Sequence, residues 1–223
     1  MGVRHFVNKA RNIVDDLVSA PIKPAAGEEY CIKAGYHHRT ANRFYDDTHN
    51  TDKWQREIYE FAAAEAARLN AQRVIDIGCG SGFKLVKYFP DLATIGYDLE
   101  KTVAYLKRRY PDRDWRIGDF DKPITVPAEI VICSDVIEHI PDPDFLMRYL
   151  GAMTFQKLII STPERKLLYG GAEHDGPPTN RSHCREWAFD ELARYVGQFF
   201  AVEKHEVTNA SQATQMIVCR KHK

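Results

Sequence analysis

The chain has 223 residues, 44% of them hydrophobic and 28% charged, the balance of a soluble α/β domain with a modest appendage. Lys plus Arg number 31, and Asp plus Glu number 31, so no overall field draws the protein to nucleic acid, and no apolar run reaches membrane-spanning length. Cys31, Cys79, Cys133, Cys184 and Cys219 are scattered with no CxxC pair, which argues against a disulfide framework or a zinc-thiolate centre and fits a reducing compartment.

Along the chain, Val3, Phe6, Val7, Ala10, Ile13, Val14, Leu17 and Val18 recur at helical spacing. They predict an amphipathic first helix whose apolar face is buried on this chain or on a partner, such as a second copy. The stretch carries charge throughout and has no continuous apolar core, so it is not a signal peptide, and a cytoplasmic protein is expected. Prolines and a glycine in "SAPIKPAAGEE" (19–29) end that helix. A polar, aromatic segment with little periodicity follows, so residues 1–50 read as an N-terminal helical lid and 51–223 as the main domain. Thr51 or Asp52 is expected to cap a helix from about residue 53 to 69. Strands are then expected at 72–77, 93–98, 114–118, 129–134 and 157–162, alternating with helices at 81–89, 100–109 and 143–151. That alternation predicts an α/β, doubly wound parallel sheet with helices on both faces and right-handed connections. After a helix near 187–196, the β-rich stretches 199–208 and 214–221 are joined by "NASQA", short enough for a closing antiparallel hairpin.

The stretch "VIDIGCGSGF" (74–83) runs from an apolar strand into glycines at 78, 80 and 82. In an open α/β sheet, ligands sit at the carboxyl ends of the strands. A dinucleotide loop needs G-x-G-x-x-G, but position 83 is Phe, so that fingerprint fails. The loop instead resembles the first motif of class I S-adenosylmethionine (SAM) dependent methyltransferases, and the resemblance extends over residues 50 to 223. It implies a Rossmann-like seven-stranded sheet in the order 3-2-1-4-5-7-6, with SAM as cofactor. Asp76, Gly78, Cys79, Gly80 and Gly82 would meet the methionine part. Asp98 in "TIGYDLE", followed by Leu99, lies 20 residues after Gly78 and would accept both ribose hydroxyls, although a carboxylate at a helix N-terminus is also favoured by the dipole. Asp119 and Phe120 in "RIGDFD" would meet the adenine, and Ser134 and Asp135 would lie near the methionine amino and carboxylate groups.

The wording "SDVIEHIPDP" resembles the E-x-x-E-H of ubiquinone-pathway O-methyltransferases and small-RNA 2′-O-methyltransferases. That resemblance implies a divalent ion held by Asp135, Glu138 and His139, with Asp135 one methylene shorter than the family's first Glu. His183, just before Glu186 and Trp187 in "RSHCREW", matches the family's further histidine. Oxygen and imidazole donors suit Mg²⁺, Mn²⁺ or Fe²⁺. His139 and His183 are thus the catalytic candidates, and His139 can equally serve as a metal-free base.

Between Thr162 and Trp187 runs a long, weakly periodic loop, a length more often functional than accidental. His174, Asp175, Asn180, Arg181, His183 and Arg185 would offer it polar groups for hydroxyls or anions. Its "GPPTNRSHCREW" is similar to a pattern in bacterial methyltransferases of glycan and surface-polysaccharide assembly. The N-terminal segment is expected to roof the site, with Tyr36, His37, His38 and Arg39 in reach of SAM or the acceptor, and Trp54 and Gln55 near the cofactor. These features together predict an O-methyltransferase for a small polar hydroxyl acceptor, a sugar or glycan precursor, with no membrane or nucleic-acid partner. N-methyl transfer to a small amine, RNA 2′-O-methylation and a non-catalytic SAM-binding subunit are the rivals.

Overall fold

Short apolar runs that end in an acidic or small residue become the parallel strands of one sheet. In the computed structural model, which describes residues 22–24, 29–41, 43 and 45–222, they are β3 (Arg73–Ile77), β4 (Ala93–Asp98), β5 (Asp114–Ile117), β6 (Ile130–Ser134) and β7 (Lys157–Pro163). β8 (Ala201–Asn209) and β9 (Thr214–Arg220) are antiparallel to each other, and β9 is antiparallel to β7. The order is β5-β4-β3-β6-β7-β9-β8, which is 3-2-1-4-5-7-6 counted from β3, as the resemblance implied. A separate antiparallel pair, β1 (Ile22–Pro24) and β2 (His37–Arg39), precedes the sheet. The expected first helix lies outside the described residues.

Alternating side chains send the sheet's apolar groups to two faces, as strand geometry requires. On one face Val74, Ile130, Ile132, Ile159 and Val218 pack under α1 (Arg56–Arg68), α2 (Phe83–Tyr88) and α3 (Glu100–Arg109). On the other, Ile75, Ile77, Val131, Ile160 and Ile217 meet α4 (Pro143–Ala152) and α6 (Phe189–Gly197). Asp142 caps α4, accepting the Phe145 N–H at 3.3 Å, with Pro143 opening the helix. None of the five cysteines forms a disulfide. Among the described residues, no helix is long and apolar enough to cross a membrane.

Three expectations need correction. Neither Thr51 nor Asp52 caps α1: the position before it is Gln55, with left-handed φ of 65°, while the Asp52 carboxylate is taken by Lys87 and the Tyr88 hydroxyl. The stretch 162–187 is not an open polar loop. It contains α5 (Arg165–Leu168), Glu164 bridges to Trp187, and Trp187, Arg165 and Arg185 are fully buried. Residues 29–41 are built into the core, with Ile32, Tyr36 and His38 buried. Trp187 donates to the Tyr30 carbonyl at 3.0 Å, and the Glu186 N–H donates to the Tyr36 hydroxyl at 3.1 Å.

Candidate active site

A cavity of about 360 Å³ opens at the carboxyl ends of β3, β4 and β6. Gly78, Cys79, Asp98, Leu99 and Ser134 from the motifs line it, together with Tyr45, Asp47, Trp54 and Gln55 from the segment before α1. The glycine spacing has a steric cause. Gly82 starts α2 at φ 67°, where an added Cβ would press on Leu106 and Trp115 at 2.7 Å. Gly80, at φ 53°, lies directly under the Asp47 carboxylate, which an added Cβ would overlap.

Asp98 accepts the Gly80 N–H at 2.8 Å and the Leu99 N–H at 2.7 Å, so the second strand's acid also braces the glycine loop. Asp76 lies behind that loop. The Tyr59 hydroxyl donates to one of its oxygens at 2.8 Å, and the other oxygen is buried with no partner. Burial pushes both carboxyls from 3.8 up to about 7, and Asp47 adds to the shift of each. The folded chain therefore keeps these protons where the unfolded chain has lost them. Their effect on stability is neutral below about pH 4 and increasingly unfavourable as the pH rises to about 7. Denaturant titrations across that interval should show stability falling with pH, and Asp98→Asn should flatten the slope. An unchanged slope in the variant would contradict this assignment.

Asp119 and Phe120 do not join this cavity. Asp119 faces a neighbouring depression with Tyr97, Arg116 and Lys122, and Phe120 packs on Phe145 and Tyr149 with ring centroids 5.5 and 4.9 Å away. Tyr36, His37, His38 and Arg39 do not line it either. His37 bonds to the Asp175 carbonyl, and Arg39 donates to the carbonyls of Pro178, Asn180 and His183. Their work is to hold the 174–184 segment in place. Arg185, expected to meet a ligand, instead spends its donors on the Ile140 and Pro141 carbonyls at 2.7 Å each, its guanidinium over the Tyr30 ring. His174 stacks on Tyr169 and Asp175 pairs with Lys33.

Glu138, His139 and His183 bring one ligand atom each within 4.8 Å of one another. Both imidazoles are aimed by their Nδ1. That of His139 lies 2.7 Å from the Ser182 carbonyl, and that of His183 lies 2.8 Å from the Glu186 carboxylate. Because those partners only accept, each Nδ1 carries the proton and each Nε2 keeps its lone pair. Burial, then His183, lowers the His139 pKa to about 4, which keeps that lone pair available. The Glu138 carboxyl is raised well above its usual range by burial and then by Asp135. It accepts the Thr162 hydroxyl at 2.9 Å and faces His139 Nε2 at 3.9 Å. The Asn180 amide covers His183 Nε2 at 2.9 Å, a contact that a cation would replace.

The structure takes Asp135 out of that group. With φ of 53°, its backbone turns the carboxylate toward α1 and β7, where it accepts Gln55 Nε2 at 2.6 Å and the Ser161 hydroxyl at 2.7 Å. Ser161 in turn is 2.7 Å from Ser134. The shorter side chain and the left-handed backbone together leave three convergent ligands of the expected four. Sequence reasoning missed Asp47, which belongs to no motif, and the buttressing roles of Glu186 and Arg39.

A family model described as a methyltransferase domain matches residues 46–212. No curated protein matches the chain. The methyltransferase domain of bacterial CtHen1 has 20% identity and a TM-score of 0.59, covering 76% of this chain and 99% of that one. Magnesium protoporphyrin IX methyltransferase from Synechocystis PCC 6803, with bound SAH, has 16% identity and a TM-score of 0.58 over 75% of this chain and 84% of that one. Human N-acetylserotonin methyltransferase in complex with SAM has 14% identity and a TM-score of 0.56, covering 75% and 52%. At these identities the likeness is one of fold.

Proposed function

Since the chain belongs to the class I SAM-dependent methyltransferases, we propose that it transfers the SAM methyl group to a hydroxyl of a small polar acceptor, a diol-bearing sugar or glycan precursor. A divalent cation held by Glu138, His139 and His183 would assist. The observation that carries this reading is the convergence of those three ligand atoms with both Nδ1 positions already pinned, the outer-shell pattern that fixes metal-binding histidines. Two imidazoles and one carboxylate favour Mn²⁺ or Fe²⁺ over Mg²⁺. When bound, such an ion lowers the pKa of a coordinated hydroxyl and orients it.

The chain's own residues do the rest. With a cation bound, Glu138, braced by Thr162, would supply negative charge, and Glu186 and the Ser182 carbonyl keep both histidines in the ligating tautomer. Asp98 and Leu99 take the ribose side of SAM, and the glycine loop takes its methionine end. The assignment of Asp119 and Phe120 to adenine rests on the motif alone. Positioning donor and acceptor in line supplies much of the rate gain of such a displacement.

The cavity's own charge supports a small neutral acceptor over a polyanion. Among the described residues, Arg43 and Lys84 are its Lys and Arg side chains, beside Asp47, Asp98, Asp135 and Glu138, too few cations for a groove that tracks a phosphate backbone. Exposed Tyr45 and Trp54, with Leu168, rim the cavity, and Asn180, Ser182, Gln212 and Thr214 line it. Apolar ring faces and hydroxyls are both provided for. The test uses chelated full-length protein resupplied with Mn²⁺ and offered sugars, their monodeoxy analogues and small amines. Formation of S-adenosylhomocysteine (SAH) should require both the diol and the ion. Turnover on an amine that chelation leaves intact would overturn the reading.

A further inference from the structure

The 45–55 segment before α1 crosses the glycine loop, and Asp47 is the side chain it lays there. Its carboxylate lies on Gly80 so closely that a Cβ added there would overlap it. Among the described residues, no side chain donates a hydrogen bond to it. The charges that act on it are those of the Lys84 ammonium and the neighbouring Asp46. Below it, Asp98 is buried in the same cavity, and Asp76 keeps one oxygen buried without a partner. Three carboxylates thus surround one loop. Lys84, itself over the Tyr59 ring at 5.2 Å, is the cation that bears on Asp47 and Asp76.

Negative charge held this way repels itself unless a ligand brings positive charge in. The cofactor of this family does so twice, with an α-ammonium and a sulfonium. The two centres make different demands. The ammonium offers three N–H donors, whereas the sulfonium has none and must stay open on the side from which the acceptor attacks. Asp98 already accepts the Gly80 and Leu99 N–H groups, and under the proposed function its remaining lone pairs serve the ribose. Asp47 has acceptor capacity left, at the point where the glycine loop lets a ligand approach the backbone.

We propose that Asp47 is a cofactor-binding residue whose carboxylate accepts the α-ammonium of SAM, so that an occupied glycine loop fastens the 45–55 segment over itself. No family motif assigns this residue, which lies outside the strand-end positions that the motifs mark.

Calorimetry on the full chain distinguishes the alternatives, using SAM, SAH and 5′-methylthioadenosine, which lacks the aminocarboxypropyl tail. Asp47→Asn keeps shape and removes charge. It should weaken SAM and SAH alike by about 10- to 100-fold, the range for a hydrogen bond to a charged group. Affinity for 5′-methylthioadenosine should be unchanged, which also shows that the variant is folded. A loss confined to SAM would place the carboxylate at the sulfonium and overturn the proposal. So would an equal loss for all three ligands, or no loss for SAH. Tighter binding in the variant would show instead that Asp47 obstructs the site and must leave it.

Discussion

His139→Ala and His183→Ala should each lower methyl transfer by roughly 10³-fold or more while the protein still binds SAM. The two rings stand with centroids 4.9 Å apart at 76°. They come from different places, one from the turn after β6 and the other from the segment before α6, yet each brings a ligand atom within 4.8 Å of one from Glu138. A histidine acting alone as a base would not need the other to be so closely held. Removing either ring leaves a carboxylate and one imidazole, too few donors for a firm cation site. Glu186→Gln should behave differently, with weaker activation by Mn²⁺ that excess Mn²⁺ restores, because it disturbs the aim of His183 and not the donor itself. Steady-state rates with and without chelator decide the matter. If chelation is harmless and only His139→Ala is inactive, the cation assignment fails and His139 stands as a metal-free base, the alternative left open by the motif.

Deleting residues 1–50 should cost the protein its cooperative fold, not merely a cover. Ile32 and Tyr36 are buried in the main core cluster, and losing one large aliphatic and one aromatic residue from a core costs about 5–10 kcal/mol, most of a typical domain's stability. The deletion also strands polar groups that are buried now. Glu186 N–H loses the Tyr36 hydroxyl, Trp187 loses the Tyr30 carbonyl, and the guanidinium of Arg185 loses the Tyr30 ring. Near-ultraviolet circular dichroism and thermal melting of the truncated chain provide the check. A sharp transition with intact aromatic signal would show that the segment is separable, as the sequence pattern of the first 50 residues suggests.

That pattern misleads for a physical reason. A stretch such as "YCIKAGYHHR" has neither period, because its side chains do not line one face of a helix or strand. They fill gaps against residues far along the chain, and periodicity cannot report that. The sheet was legible because its buried strands are continuous apolar runs whose ends coincide with Asp98 and Ser134. Charged residues were the main source of error. Arg185 was expected to meet a ligand, and Arg165 and Glu191 carried no expectation, yet all three are buried because carbonyls, a carboxylate or an aromatic face satisfy them. Asp135 was placed correctly along the chain and wrongly in space, since a left-handed φ at a non-glycine residue leaves no mark in a motif. Glu138 and His139 stand apart from His183 along the chain, and the fold brings them together.

The bonds that fasten residues 29–41 also impose a chronology. Tyr36 meets Glu186 across 150 residues, Tyr30 meets Trp187 across 157, and the Lys33 N–H meets Glu191 across 158. Synthesis delivers the first member of each pair long before the second exists. While the ribosome is making β3 to β7, parallel pairing and the glycine loop can form, but Ile32 and Tyr36 have nowhere to dock and stay exposed to solvent and chaperones. The segment that is translated early must therefore be the one that seats late, once α6 has emerged. The cavity's histidine pair waits with it, because Arg39 and Tyr36 hold the backbone on which His183 and Glu186 ride. A chain stalled before α6 would carry every motif of its family and still lack a finished site.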